Sequence, residues 1–232
     1  MPMTNVFATA LLALRFTNAN LANVGDATGL RGSSTAGSDY VSLHTASPGP
    51  TGTQATNECA YGSYARQSAA RSGAGFTASS RLTDNVAVLT FPEASSGSEV
   101  ARFWGLGFGA SGATDLHWYG HIGGLVKPVV CIDTSGDLLT CETHGFVATD
   151  EVVFWSTPGQ TLPTGITAGT VYYVIAGGLT TNVFAVSATL GGSSIAITGV
   201  GAGHVGKVTP LTITSSPPVT PRIPIGNLQI RI

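Results

Sequence analysis

The chain has 232 residues and a net charge of −2, and only 9% of its residues are charged against about 25% in an average globular protein. A mean hydropathy of +0.27 excludes a disordered chain, and two lysines, Lys127 and Lys207, are too few for the solvated faces of a helical bundle. Eight scattered arginines with a pI near 6.2 offer no basic stripe for nucleic acid, and the longest apolar stretch, residues 6–14, is far short of the roughly 20 a membrane-spanning helix needs.

In chain order, the first expected element is a short amphipathic helix. Thr4 is its N-cap, Phe7, Leu11 and Leu14 recur at helical spacing, and TNANLAN stops it. No Lys or Arg precedes the apolar run and Arg15 follows it at once, so it reads as a docked helix or arm rather than an export signal. Residues 25–39, GDATGLRGSSTAGSD, form a loop without periodicity. In YVSLHTA, Val41, Leu43 and Thr45 alternate with Ser42 and His44, the mark of a half-buried strand. Tyr61, Tyr64 and Arg66 lie at a turn and a second strand. Closely spaced strands then follow in NVAVLTF, VARFWGLGF and TDLHWYGHI, a spacing that suits a sandwich or jelly roll rather than βαβ units.

After Lys127-Pro128 the texture changes to hydrophobic β runs: VVCID, DLLTC, EVVFWS, TVYYVI, NVFAVSAT and SSIAIT. Beyond Pro210 a Pro-rich loop leads to a closing strand in which Leu228, Ile230 and Ile232 alternate with Gln229 and Arg231. The expected fold is therefore all-β, a jelly-roll-like β-sandwich with a short N-terminal helix or arm and an inserted small β domain. Residues 1–128 are the host sandwich, 129–209 the insertion, and 210–232 the C-terminal strand completing the host.

Several motifs invite chemistry. In GAGHVGKV, Gly201, Gly203 and Gly206 have the spacing G-x-G-x-x-G, and Gly201, Gly206 and Lys207 fit a P-loop up to its last position. Val208 stands where that loop needs Ser or Thr, and Pro210 with Pro217-Pro218 forbids the helix both motifs require, so a flexible Gly loop at a domain boundary is expected. His117 and His121, four apart on a strand, share a face but sit about 13 Å apart, too far for one metal. No G-x-S-x-G elbow occurs. Asp150 and Glu151 are adjacent and point to opposite faces of a strand, and Asp133 and Asp137 flank a turn, so neither pair suits glycoside hydrolysis. Trp104, Trp118 and Trp155 could stack on sugars, but core or subunit packing is the simpler use. A hairpin centred near Gly136 would put Cys131 opposite Cys141, either as a disulfide or as two reduced thiols packed as small hydrophobes. No cofactor and no metal are expected, and the chain reads as non-enzymatic.

Six stretches together resemble a family of small virion proteins from tailed bacteriophages. They are ALLALRF; YVSLHTASPGPTGTQATNE with YARQSAARSGAGF; NVAVLTFPEASSG; VARFWGLGFGASGATDLHWYGHI; and PRIPIGNLQIRI. The inserted segment from HGFVATDEVVFWS to SSIAITG resembles a small β unit that recurs in phage tail fibres. The resemblance implies a virion structural protein. The first expectation is a capsid decoration or cement protein on the shell exterior, a homotrimer bridging copies of the major capsid protein. The alternative is a tail-associated fibre or receptor-binding protein whose insertion meets a host-surface glycan. Contacts to the capsid or between subunits are expected from Phe7, Leu11, Leu14, Arg15, Trp104, Trp118 and Ile230. Low charge fits either role, since many copies can then pack without repulsion.

Overall fold

A computed structural model describes residues 3–22, 24, 29–30, 32, 34–124, 126–131 and 135–231. Part of the 25–39 loop, Asp133 and Ile232 lie outside the described residues. The fold is all-β with one helix. The chain divides into two compact units, the first built from residues up to Ile122 together with Leu211 onward, the second from Gly123–Pro210.

The first unit opens with α1 (Asn5–Phe16), followed by β1 (Ser38–His44), β2 (Gln67–Ala70), β3 (Leu82–Asp84), β4 (Leu89–Thr90), β5 (Ser98–Ala101), β6 (Phe103–Gly107) and β7 (Leu116–His121). Its main sheet is antiparallel with order β2-β1-β6-β7. Val41 and Leu43 face a core shared with Phe16, Trp104, Leu106 and Ile230. The strand is not half-buried, however: Ser42 and His44 on its other face are also fully buried. A polar layer covers that second face, where His44 Nδ1 lies 2.8 Å from the Thr56 carbonyl and Gln54 Nε2 donates to the Tyr40 carbonyl at 3.0 Å. Glycine makes the room, because a Cβ on Gly105 would stand 2.5 Å from His44 Nε2. NVAVLTF does not run as one strand. Its pairing is limited to β4 and an isolated bridge between Phe76 and Asn85, and Asn85 also uses its side chain to hold distant backbone.

The second unit contains β8 (Lys127–Cys131), β9 (Leu139–Thr140), β10 (Glu151–Trp155), β11 (Val171–Val174), β12 (Val183–Phe184), β13 (Val186–Ser187) and β14 (Gly201–Lys207). They form one sheet of order β12-β9-β8-β14-β10-β11-β13. Because β12 and β13 are the two halves of one five-residue segment, the ends of the sheet meet and the unit closes as a small barrel. Its interior holds Val129, Leu139, Phe154, Tyr172, Phe184 and Val205. SSIAIT adds no strand; the Ile197 N–H donates to Asp137 Oδ1 at 2.9 Å and so ties the segment to the β8–β9 connection.

Two expectations about this unit are corrected. GAGHVGKV is not a flexible loop but β14, paired with β8 on one side and β10 on the other. Its glycines serve close approach: a Cβ on Gly201 would stand 2.5 Å from Pro163 N and 2.6 Å from the Leu162 carbonyl carbon, both backbone atoms that cannot step aside. Gly201→Ala is therefore expected to cost the barrel about 1–3 kcal/mol by overpacking, measured by urea denaturation followed at Trp155. An unchanged midpoint would show that the crowding is relieved without cost. The cysteines are not opposite one another either. Val130 pairs with Thr140, so Cys131 faces the Leu139 position and Cys141 faces Val129. That diagonal lies at about 7–8 Å, beyond disulfide reach, and both cysteines are buried as thiols.

The last strands, β15 (Leu211–Thr214), β16 (Arg222–Ile223) and β17 (Gln229–Arg231), return to the first unit. They pair antiparallel with β5, β4 and β3 in turn, with a one-residue offset only between β16 and β17. Residues 211–231 thus run back along 82–101 as one interrupted ladder. The alternation expected for the closing strand holds, with Leu228 and Ile230 buried and Arg231 exposed.

Candidate interaction surface

The N-terminal helix forms for local reasons. Thr4 is extended and its hydroxyl accepts from the Phe7 N–H at 3.3 Å, while Thr17 closes the C-terminal end. Arg71, just past β2, donates from Nε to the Arg15 carbonyl at 3.0 Å, satisfying an acceptor that a helix end leaves unpaired. The face turned to the core carries Ala8, Leu12 and Phe16, not Phe7, Leu11 and Leu14. Apolar residues surround this helix, so helical spacing alone could not select between the two faces.

Arg15 fixes the end of the helix to the sheet. Its guanidinium makes two 2.8 Å hydrogen bonds with the carboxylate of Asp39, which is fully buried. It also lies 4.9 Å from the ring centre of Phe16, 4.7 Å from Phe108 and 4.9 Å from Trp118. Both terms strengthen as water is excluded, so this contact is a latch rather than a free hand for a partner. Trp118 packs on Phe16 at 5.1 Å and is half-buried. Trp104 and Ile230 are core residues of the first unit, with their apolar surface already covered. Phe7 is 41% exposed, and Leu11 and Leu14 are half-buried. Met3, just before the helix, and Val6 and Ala10 on it are also exposed or partly exposed, and the spacing of Phe7, Leu11 and Leu14 did not single them out.

The remaining motifs separate in space or are sealed. A register shift at Leu106/Gly107 leaves His117 as an extra residue on β7, so His117 turns toward Phe108 and Trp118 while His121 is buried. The two histidines do not keep the common face of a regular strand. Asp150 pairs with Lys207 at 2.7 Å and accepts from the Val147 N–H, and Glu151 opens β10. Ser42 Oγ lies 2.8 Å from His44 Nε2, the spacing of a nucleophile and its base. Both are fully buried, so substrate cannot reach them.

Beside His44 stands a charged cluster that sequence reasoning left unassigned. Arg66 donates from Nε and from a terminal nitrogen to the two carboxylate oxygens of Glu58, at 2.6 and 2.7 Å. It also donates to the Gly109 and Gly112 carbonyls at 2.9 and 2.7 Å. The Tyr64 hydroxyl donates to Glu58 and accepts from the Leu43 N–H, and burial raises the Tyr64 pKa. In a chain so poor in charge, a Glu and an Arg eight residues apart were the available hint.

Burial lowers the His44 pKa below the ordinary 6.5; the Thr56 carbonyl and Glu58 oppose that shift and Arg66 adds to it. The unfolded chain therefore takes up a proton near pH 6.5 while the folded one does not. Stability of the first unit is expected to be level above about pH 7.5 and to fall as pH drops from about 7.5 to 5.5. His44→Gln should flatten the slope of urea midpoint against pH over that interval; an unaltered slope would assign it to other groups.

Residues 16–123 match the family model of Podophage GP4 fiber I protein gp80. No curated protein matches the chain. The match supports a structural phage protein of the fibre-like kind, a component of the virion. It takes in the last residue of α1 and all of β1–β7, and it stops at Gly123, where the second unit begins. The gp80-like stretch therefore includes the Arg15 contacts Asp39, Phe108 and Trp118 and the Glu58–Arg66 cluster, but not Arg15 itself.

Proposed function

We propose that this chain is a non-enzymatic subunit of a podophage tail fibre or its attachment, acting by assembly rather than by chemistry. The observation that carries the reading is the match of residues 16–123 to a fibre protein family. For that reason the tail location takes precedence over the capsid-decoration role, which would have the chain bridge major capsid subunits. Labelling the chain in intact particles and imaging them by electron cryo-microscopy tests the assignment. Density at the tail is the expected result; copies spread over the shell lattice would replace it with decoration.

In the same reading the inserted barrel meets host-surface glycan. Full-length protein is expected to bind host cells and to lose that binding when periodate has cleaved the vicinal diols of the cell-surface sugars. Binding that survives periodate would remove the glycan role. The sealed Ser42–His44 pair is the observation in support of a non-enzymatic chain. Release of reducing ends from host polysaccharide by the purified protein would overturn it.

A further inference from the structure

The sequence holds three tryptophans, and the first unit uses two of them: Trp104 is in its core and Trp118 packs on Phe16. The third, Trp155, belongs to the inserted barrel. Side chains alternate along β10, so Val152 and Phe154 enter the barrel core and Trp155, at the end of the strand, lies on the outer face, half-buried. Sheet register sets what stands beside it. Trp155 is opposite His204 of β14, and His204 is opposite Pro128 of β8, so three ring-bearing residues form one row across three neighbouring strands. At about 4.8 Å between strands the row is about 10 Å long. Pro128 is exposed and His204 is half-buried.

The row has a polar handle. His204 Nδ1 lies 2.9 Å from Thr157 Oγ1, which fixes the plane of the imidazole. Among the described residues Nε2, on the other side of the ring, has no hydrogen-bond partner, so it is left to donate or accept at the surface according to the tautomer. Charge is the second, independent observation. Residues 123–210 contain two lysines and no arginine against five acidic residues, a net charge of −3, whereas all eight arginines are in the first unit. Both lysines are occupied: Lys207 pairs with Asp150 at 2.7 Å, and Lys127 Nζ donates to the Thr143 carbonyl at 2.6 Å. An anionic ligand would therefore meet a field of its own sign and no uncommitted Lys or Arg on this unit.

We infer that the row Trp155–His204–Pro128 is a subsite for a neutral pyranose; this rests on the reading that the barrel meets host-surface glycan. The C–H face of the sugar lies on the indole, and the pyrrolidine ring of Pro128 extends the same surface at the other end of the row. His204 Nε2 takes a hydroxyl at the edge of the sugar ring and so sets its orientation. Broad apolar contact with a few fixed polar atoms is the usual division of labour in a ligand site. A neutral sugar needs no counter-ion, so the negative barrel accepts it and disfavours uronic, sialic or phosphorylated residues. The three strands are already paired in the sheet, so binding does not bear the cost of ordering them.

The surface polysaccharide of the host, separated by anion exchange into a neutral and an acidic fraction, supplies the probes, and titration calorimetry on the full-length protein reads the affinity. The neutral fraction is expected to bind, with an affinity that changes little between about 0.05 and 0.5 M salt. Trp155→Ala should weaken that binding about tenfold, and Trp155→Phe, which keeps a ring, by less. His204→Ala should weaken it about threefold to tenfold. Urea unfolding followed by circular dichroism separates lost binding from lost fold, and Trp155→Phe and His204→Ala carry the test if Trp155→Ala unfolds. Undiminished binding of the neutral fraction in a folded Trp155→Ala or His204→Ala protein would overturn the subsite and leave the glycan reading standing. Binding of the acidic fraction alone would overturn the neutral class. Binding of neither fraction would remove the glycan reading itself, and the subsite with it.

Discussion

Arg66→Met is expected to remove about 3–5 kcal/mol from the stability of the first unit, the largest effect of any single substitution considered. The magnitude follows from what is left behind. Arg66 has a side chain only 2% exposed, and Glu58 is 15% exposed, so deleting the guanidinium strands a carboxylate that water reaches poorly. Tyr64 still donates to Glu58, but one hydroxyl replaces two charge-assisted hydrogen bonds. The Gly109 carbonyl loses the Arg66 donor at the same time and the Gly112 carbonyl keeps only the Thr114 N–H, which loosens the β6–β7 connection. Arg66→Lys should recover only part of the loss, because an ammonium cannot present the planar fork that spans both carboxylate oxygens and two carbonyls. The measurement is urea unfolding followed by the fluorescence of Trp104 and Trp118, with Trp155→Phe as the background so that the barrel stays silent. If Glu58→Gln and Arg66→Met prove additive in a double-mutant cycle, the two groups are not coupled and the cluster is not a pin.

The location of this cluster shows where local sequence information ends. The helix and its Thr4 cap are legible because capping is decided within four residues. Which face the helix buries is not, because an apolar residue stands at almost every position from 6 to 16 and periodicity has no contrast to detect. The closing strand is legible because Leu228, Gln229, Ile230 and Arg231 alternate on a sheet with one wet face. β1 also alternates, but its polar set is buried under residues 54–56, a contact ten or more positions away that no period-2 pattern reports. β14 is the sharpest case. Its glycines look like a phosphate loop, yet their cause is the backbone of residues 161–163 pressed against the strand, and only the folded neighbourhood contains that reason. The expected contact residues divide in the same way: spacing marks Phe7, Leu11 and Leu14 as apolar positions of the helix without telling which face they take, whereas the burial of Trp104 and Ile230 depends on strands brought together from both ends of the chain.

That joining of the ends makes Asn85→Ala the second large expected loss, about 3 kcal/mol in the first unit. Asn85 is 1% exposed. Its Nδ2 donates to the Ala87 carbonyl at 2.7 Å and to the Pro224 carbonyl at 2.9 Å, and its Oδ1 accepts from the Leu228 N–H at 3.0 Å. Two of these bonds reach across 139 and 143 residues, passing over the whole inserted unit, at the one-residue offset between β16 and β17. The offset interrupts the regular ladder, and the amide side chain supplies the pairing that backbone alone does not make there. Alanine leaves the Leu228 N–H and two carbonyls without those partners, each a cost of about 1 kcal/mol or more in a dry site. Leu228 and Ile230 belong to the first unit's core, so loosening their strand also weakens apolar packing around Phe76 and Ile223. Asn85→Asp separates the terms: it keeps an acceptor for Leu228 but loses both donors and brings a charge into the core, and it should be no better than alanine at neutral pH. Hydrogen exchange gives the local readout. The amides of residues 228–231 should exchange at least tenfold faster in Asn85→Ala while those of β10 and β14 in the barrel keep their rates. Equal acceleration in both units would mean that the substitution acts on the chain as a whole and not on the strand that closes the first unit.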